Sequence, residues 1–113
     1  MALQAKTAER LRVYLKNSSY HNDIPLYEAI LFEARRVGIA GGTVTKGVLG
    51  FGSEKWLRGK SALVPANNVP MKVELIDSPE KLNLILPFLE KNLKNGLITR
   101  EPLNILLPEP QEE

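Results

Sequence analysis

The 113-residue chain contains no cysteine, which excludes disulfide bonds and thiolate metal sites and fits a reducing compartment. Its single histidine, His21, has no cysteine to join it in a zinc site, so we interpret it as a loop residue. No apolar run reaches the ~20 residues that cross a bilayer, and the first ten residues lack the apolar segment of a signal peptide. These absences predict a cytoplasmic protein.

Excess charge and catalytic clusters are also missing. The net charge of +2 is too small to predict nucleic-acid binding by bulk electrostatics. No nucleophile–base pair and no group of metal ligands stands out, so we expect no enzyme activity, no catalytic residue and no metal site. Asp77 and Glu80 resemble a carboxylate pair, but their position at a predicted helix start favours capping.

The pattern of apolar residues predicts four strands and two helices. The first strand runs from Glu9 to Lys16, because apolar and polar residues alternate there. The first helix is capped by Asp23 and ends at Gly38. The other elements are a strand at about 43–49, a strand over Met71–Asp77, a helix capped by Ser78 with a kink or break at Pro87, and strand segments within 97–107 interrupted at Pro102.

This order predicts a single α+β domain over residues 1–113, with loose termini at 1–7 and 108–113. Two right-handed βαβ halves interleave into a four-stranded antiparallel sheet with both helices on one face, the ferredoxin-like βαββαβ fold. The other face is expected to be partly apolar, with Tyr14, Val44 and Val48 among its side chains. A second subunit commonly covers such a face.

The central strand leads into a long loop, residues 51–68, which we expect to be flexible. The strand ends in Gly50-Phe51-Gly52, and Lys55, Arg58 and Lys60 follow. Glycines let the backbone approach a ligand, and lysine or arginine supplies countercharge, so this stretch is a candidate anion site. A simple bulge and turn also fits the same glycine spacing. Trp56 would either stack on a base or anchor the loop.

Several segments together resemble the PII signalling proteins and, more closely, a PII-like family known only as a domain of unknown function. The resemblance rests on Gly42-Thr43-Val44-Thr45 followed by Gly50-Phe51-Gly52 and a long loop. Three further segments fit the pattern in the same order: Arg10–Tyr14, Pro25–Ile30 and Met71–Asp77. The similarity covers residues 8–107.

The resemblance implies a non-enzymatic regulatory protein that assembles as a homotrimer, with the sheets facing inward. Proteins of this type bind an adenine nucleotide (ATP, ADP or AMP) in clefts between subunits, and their long loop engages a target protein. The positions that match their nucleotide contacts are Thr43, Gly50, Phe51 and Gly52. No covalent cofactor is implied, and the target is unknown, a membrane transporter being one candidate.

The phosphate-binding part of the PII pattern is missing. PII proteins carry a glycine-rich phosphate loop before the last strand, where this chain has only Lys94-Asn95-Gly96-Leu97-Ile98. The phosphates would then meet Lys55, Arg58 or Lys60 of the loop, or else Arg12 or Arg100.

Three functions remain open from the sequence. The first is the nucleotide-binding sensor, and the second is an interaction module without a ligand that regulates a transporter or another partner. The third is RNA binding, because RNA-recognition motifs share this strand order. It ranks last, since the central strands offer mainly Tyr14 as an exposed aromatic.

Overall fold

The computed structural model describes residues 3–50 and 69–108. In these ranges, β1 (Leu3–Lys16) is followed by a small hairpin of β2 (Tyr20–His21) and β3 (Ile24–Pro25), and then by α1 (Leu26–Arg36). Next come β4 (Gly41–Lys46), β5 (Pro70–Asp77), α2 (Pro79–Leu82), a 3-10 turn (Asn83–Ile85), α3 (Leu86–Asn92) and β6 (Leu97–Pro108). The main sheet has the order β4-β5-β1-β6, and all neighbours are antiparallel. The predicted ferredoxin-like α+β fold is confirmed.

The core lies between the sheet and the helices. Alternate residues of the central strands point to it, and the helices supply the opposing apolar side chains. The largest fully buried side chains are Leu11, Val13, Ile30, Val73, Leu75, Leu82, Ile85 and Leu89. The opposite face of the sheet carries no helix in the described ranges, and we call it the open face.

The predicted cap of the first helix is wrong, whereas its predicted end is confirmed. Asn22 and Asp23 both have positive φ, 48° and 71°, and form the tight turn between β2 and β3. The N-cap position of α1 is instead Pro25, which makes no side-chain capping bond. Gly38 follows the helix with φ of 92°, a conformation that glycine adopts at little cost.

The second helical segment begins at the predicted capping serine and breaks near the predicted proline. The Ser78 hydroxyl accepts a hydrogen bond from the Lys81 N–H at 3.3 Å, and Pro79 occupies the first helical turn. The segment is then broken by the 3-10 turn, and α3 starts beside Pro87. Because proline cannot donate the helical hydrogen bond, the predicted break at Pro87 is confirmed.

Both long strands exceed their predicted lengths. Residues 3–7, expected to be a loose lead-in, belong to β1 and pair with residues 104–108. Pro102 does not interrupt β6, since it lies opposite Glu9 in a continuous register. A proline is tolerated there because β6 is an edge strand, where its missing N–H can face solvent. The central strand is shorter than predicted and ends at Lys46.

The open face is more polar than expected. Val44 does not lie on it, because it pairs with the fully buried Val73 and packs against the core. Val48 lies beyond the end of β4 and is 98% exposed. Tyr14 does lie on the open face, but Arg12 and Glu74 lie beside each other across its middle. Which β4 side chains face the core depends on how β4 is aligned with β5, and the sequence of β4 alone does not specify that register.

Candidate functional site at the base of the β4–β5 loop

Two hydrogen-bonded clamps hold the ends of the β4–β5 loop, residues 47–69, against the sheet. The Gly47 N–H donates to the Pro70 carbonyl at 2.7 Å, which closes the loop at its base. The Asn17 N–H donates to the Val69 carbonyl at 2.9 Å, and the Asn17 side-chain oxygen accepts from the Val69 N–H at 2.9 Å. Both ends of the loop and the end of β1 therefore meet at one corner of the sheet.

Space explains the glycines at this corner. A Cβ on Gly47 would lie 2.9 Å from the Pro70 Cγ and 3.2 Å from its carbonyl oxygen, and one on Gly50 would lie 3.3 Å from the same Cγ. Neither residue has a positive φ, a conformation that among the described glycines is confined to Gly38. The backbone therefore passes close to Pro70 because these residues have no side chain.

The predicted base-reading residue, Thr43, lies next to an ion pair on the open face. It is directly opposite Glu74 on β5, which in turn is opposite Arg12 on β1. The Arg12 Nε donates to the Glu74 carboxylate at 2.7 Å, and this hydrogen bond raises the pKa of Arg12. The Thr43 side chain itself is exposed, so its hydroxyl can reach a ligand.

A second ion pair extends the network towards β6. The Arg10 Nε donates to Glu101 at 3.0 Å, and Arg12 lies 3.6 Å from the same carboxylate. The hydrogen bond from Arg10 lowers the pKa of Glu101, and the charges of both arginines act in the same direction. The two arginines of the open face are therefore already neutralised by carboxylates within the chain.

Both described arginines that were expected to meet phosphate are thus occupied. Arg12 is bound to Glu74 as above. Arg100 lies on the helix-covered side, where its guanidinium bonds to Glu9 and donates to the Asn83 side-chain oxygen at 2.8 Å. These contacts cross strands and helices, so sequence spacing could not reveal them. Neither arginine offers an unpaired positive charge at the loop base.

Lys72 was missed as a candidate. It stands between Thr45 and Tyr14 in the row next to Thr43, on the same face. Among the described residues it has no ion-pair partner, and the neighbouring Tyr14 ring is 36% exposed. The available signal was the alternation of side chains along a strand: Lys72 is two residues from Glu74 on β5, so both side chains point to the same face.

The remaining candidates fall into two groups. Gly50 is described, and it lies beside the loop base. Phe51, Gly52, Lys55 and Arg58, together with Trp56 and Lys60, lie outside the described residues.

The other singled-out side chains have structural roles. The His21 ring packs edge-on against Phe88, with ring centroids 5.2 Å apart. Asp77 accepts hydrogen bonds from the N–H groups of Ala40 at 2.8 Å and Ser78 at 2.6 Å, which ties the start of β4 to the end of β5. Glu80 lies in the first turn of α2. The capping bond of α2 is made by Ser78, so Asp77 is a structural residue that joins two backbone segments rather than the predicted helix cap.

Within residues 3–50 and 69–108, no group of three or more histidine, cysteine or acidic side chains is arranged to hold a metal ion. None of the helices in these ranges combines the length and apolarity that a membrane crossing requires.

The fold resembles that of solved PII-like proteins. CPII of Thiomonas intermedia K12, solved with ADP and bicarbonate, superposes with a TM-score of 0.65 at 14% identity, covering 92% of this chain and 93% of that one. GlnK of B. subtilis, solved as a GlnK-ATP complex, gives a TM-score of 0.54 at 13% identity, covering 86% and 82%. At these identities the likeness establishes the fold, and the protein is PII-like in structure.

The family follows from sequence comparison. The DUF190 family model, described as an uncharacterized ACR, matches residues 8–105. A UPF0166 protein of Aquifex aeolicus is 30% identical over 96 residues, which cover 85% of this chain and 90% of that protein. The chain belongs to the DUF190 family, as the sequence resemblance predicted.

Proposed function

We propose that this protein is a non-enzymatic, PII-like regulator that binds an adenine nucleotide at the base of the β4–β5 loop. In this proposal the protein is a cytoplasmic homotrimer with its binding clefts between copies. The loop acts on a target protein, of which a membrane transporter is one kind. The observation that carries the proposal is the double clamp, which gathers both loop ends at one corner of the sheet. Lys72, which has no ion-pair partner within residues 3–50 and 69–108, lies near this corner.

The proposed ligand contacts combine described and undescribed residues. Thr43 would read the edge of the base with its exposed hydroxyl, and the backbone at Gly50 would approach the ligand. Phe51, Gly52, Lys55 and Arg58 are proposed contacts from the loop. Support comes from CPII and GlnK, which share the fold and were solved with ADP and with ATP.

Lys72 is our addition to this set. An anionic phosphate needs a nearby cation, and the arginines of the open face are already paired with carboxylates. Lys72 lies one row from Thr43 on the same face and has no ion-pair partner among the described residues. Its ammonium group would therefore interact with a phosphate without first breaking an ion pair inside the chain.

Calorimetric titration with ATP, ADP, AMP and cyclic AMP tests the proposal. We expect at least one of the four to bind, and Gly50→Ala to weaken it at least about tenfold, because a methyl group blocks the close approach of the backbone. Gly41→Ala is the matched control, since its Cβ would meet only the Ile76 carbonyl at 3.9 Å. It should bind as the wild type does.

A second pair of variants tests the threonine. Thr43→Val keeps the shape but removes the hydroxyl, and losing one hydrogen bond should cost about 3–10-fold in affinity. Thr45→Val makes the same change two residues along the same face and should have little effect. If none of the four nucleotides binds, the proposal is overturned. The alternative function, an interaction module that needs no ligand, would then remain.

A further inference from the structure

The sequence of β4 specifies its register against β5 only weakly. The strand begins with two glycines and has Val44 as its one apolar side chain. Thr43 lies opposite Glu74, and Thr45 lies two residues further along on the same face. A slip of two residues would keep a threonine on the open face but would place Thr45, and not Thr43, opposite Glu74. Glycine-rich strands with few apolar side chains are prone to such slips.

A contact outside the sheet ladder holds the start of β4. In the described ranges β4 is an edge strand, so it pairs with β5 alone. The Ala40 N–H, just before β4, donates to the Asp77 Oδ2 at 2.8 Å. The other oxygen of this carboxylate, Oδ1, accepts from the Ser78 N–H at 2.6 Å, which fixes the side chain at the end of β5. One carboxylate therefore joins the start of β4 to the end of β5.

The turn before β4 gives this contact little freedom. The Ile39 N–H donates to the Ala34 carbonyl at 2.9 Å, so the turn is bonded to the last part of α1. Gly38 in the same turn has a φ of 92°, and a Cβ there would lie 3.0 Å from the Lys81 Nζ of α2. A slip of two residues moves β4 about 7 Å along β5, so the bond to the Asp77 carboxylate cannot survive it.

We propose that Asp77 is a positioning residue, whose carboxylate sets the register of β4 and so keeps Thr43 opposite Glu74. The two N–H groups approach different oxygens, so an aspartate accepts both bonds, whereas an asparagine offers a single acceptor oxygen. The consequence for a ligand at Thr43 rests on the proposed nucleotide function, whereas the register itself does not.

Paired cysteines measure the register directly, because the natural chain has no cysteine. One variant combines Glu74→Cys with Thr43→Cys, and the other combines it with Thr45→Cys, so the loss of Glu74 is common to both. Directly opposite residues lie within the distance that a disulfide spans, whereas residues two positions further along lie outside it. With Asp77 present, the pair with Thr43 should oxidise and the pair with Thr45 should remain reduced. Asp77→Ala should lower the ratio of the two oxidation rates at least about fivefold, as expected for the loss of a hydrogen bond.

Ser78→Ala is the matched control. It removes a neighbouring hydrogen bond, from the Lys81 N–H to the Ser78 hydroxyl at 3.3 Å, and leaves the contact between Ala40 and Asp77. The ratio of oxidation rates should therefore stay at its original value. Asp77→Asn keeps the size of the side chain and one acceptor oxygen, so its ratio should lie between that value and the alanine result. An unchanged ratio in both Asp77 variants, or an equal change in Ser78→Ala, would overturn the proposal.

Nucleotide titration tests the consequence for the ligand. Asp77→Ala should weaken binding about 3–10-fold, as loss of the Thr43 hydroxyl does, and Ser78→Ala should not. The changes at Asp77 and Thr43 act through the same contact, so Asp77→Ala should weaken binding much less in a Thr43→Val background. Equal weakening in both backgrounds would overturn the positioning of Thr43 by Asp77.

Titration of the wild type separates the two proposals. A register that depends on Asp77, in a protein that binds none of the four nucleotides, would retain Asp77 as the residue that sets β4 and overturn the proposed function. Nucleotide binding together with a register that does not depend on Asp77 would do the reverse.

Discussion

Asn17 holds the far end of the β4–β5 loop, and replacing it tests whether this clamp matters. In Asn17→Ala the Val69 N–H loses its acceptor, now at 2.9 Å. The backbone bond from the Asn17 N–H to the Val69 carbonyl, also at 2.9 Å, does not depend on the side chain and should remain. One hydrogen bond is therefore removed.

The size of the effect follows from the burial of this site. A lost hydrogen bond costs about 0.5–1.5 kcal/mol, and more when a fully buried donor is left without a partner. Asn17 is half-buried, so water can replace part of the interaction. We therefore expect the free energy of unfolding to fall by about 1 kcal/mol, equivalent to about 4 °C in melting temperature for a domain of this size.

Two measurements and one control check this value. Urea denaturation gives the change in unfolding free energy, and hydrogen exchange of the Val69 amide should become about fivefold faster if the loss is local. Asn17→Asp keeps an acceptor oxygen in place and should recover most of both effects. Equal losses in the alanine and aspartate variants, or unchanged exchange at Val69 in the alanine variant, would refute the argument.

Three other changes have defined outcomes. Gly42→Ala should destabilise by about 1–3 kcal/mol in urea denaturation, because its Cβ would lie 2.8 Å and 3.1 Å from leucine side chains of α1 and β5, whereas Gly41→Ala should be nearly neutral. Glu101 has a lowered pKa in the fold, so its ionised form contributes stability above its ordinary value of 4.5, and that contribution is lost as the pH falls below it. Glu101→Gln should therefore lower the urea midpoint at pH 7, and the difference from the wild type should shrink as the pH is lowered below 4.5. Leu89→Ala, at a side chain 1% exposed, should cost about 2–5 kcal/mol by thermal or urea unfolding.

Local signals in the sequence predicted the order of the elements and several of their ends. Gly38, Ser78 and Pro87 act through their own backbone or through neighbours one turn away, so their effects can be read from sequence spacing. The prediction that Asp23 caps α1 was wrong because Asp23 lies in a tight turn. Its turn belongs to the small hairpin of β2 and β3, and a cap and a tight turn favour the same residue types.

The candidate site was only partly predictable. Thr43 and Gly50 were proposed through a family resemblance; Thr43 lies on β4, and Gly50 lies in the loop that follows it. Lys72 was missed because a single lysine in an alternating strand shows only which face of the sheet it lies on. Nothing near it in the sequence indicates a binding role. It became a candidate through its neighbours, because the arginines of the same face are paired with carboxylates, whereas Lys72 has no ion-pair partner in the described part of the chain.

The ferredoxin-like order of strands and helices could be predicted from the amino-acid sequence, because side-chain periodicity and the residues that start or end helices act locally. Three features emerged only from the packed chain: residues 3–7 extend β1, Val44 faces the core, and Arg12 and Arg100 are already paired. Arg12 meets Glu74 across 62 residues of sequence, and Arg100 meets Glu9 across 91. Such contacts depend on strand register, which the whole sheet fixes through burial of its core face.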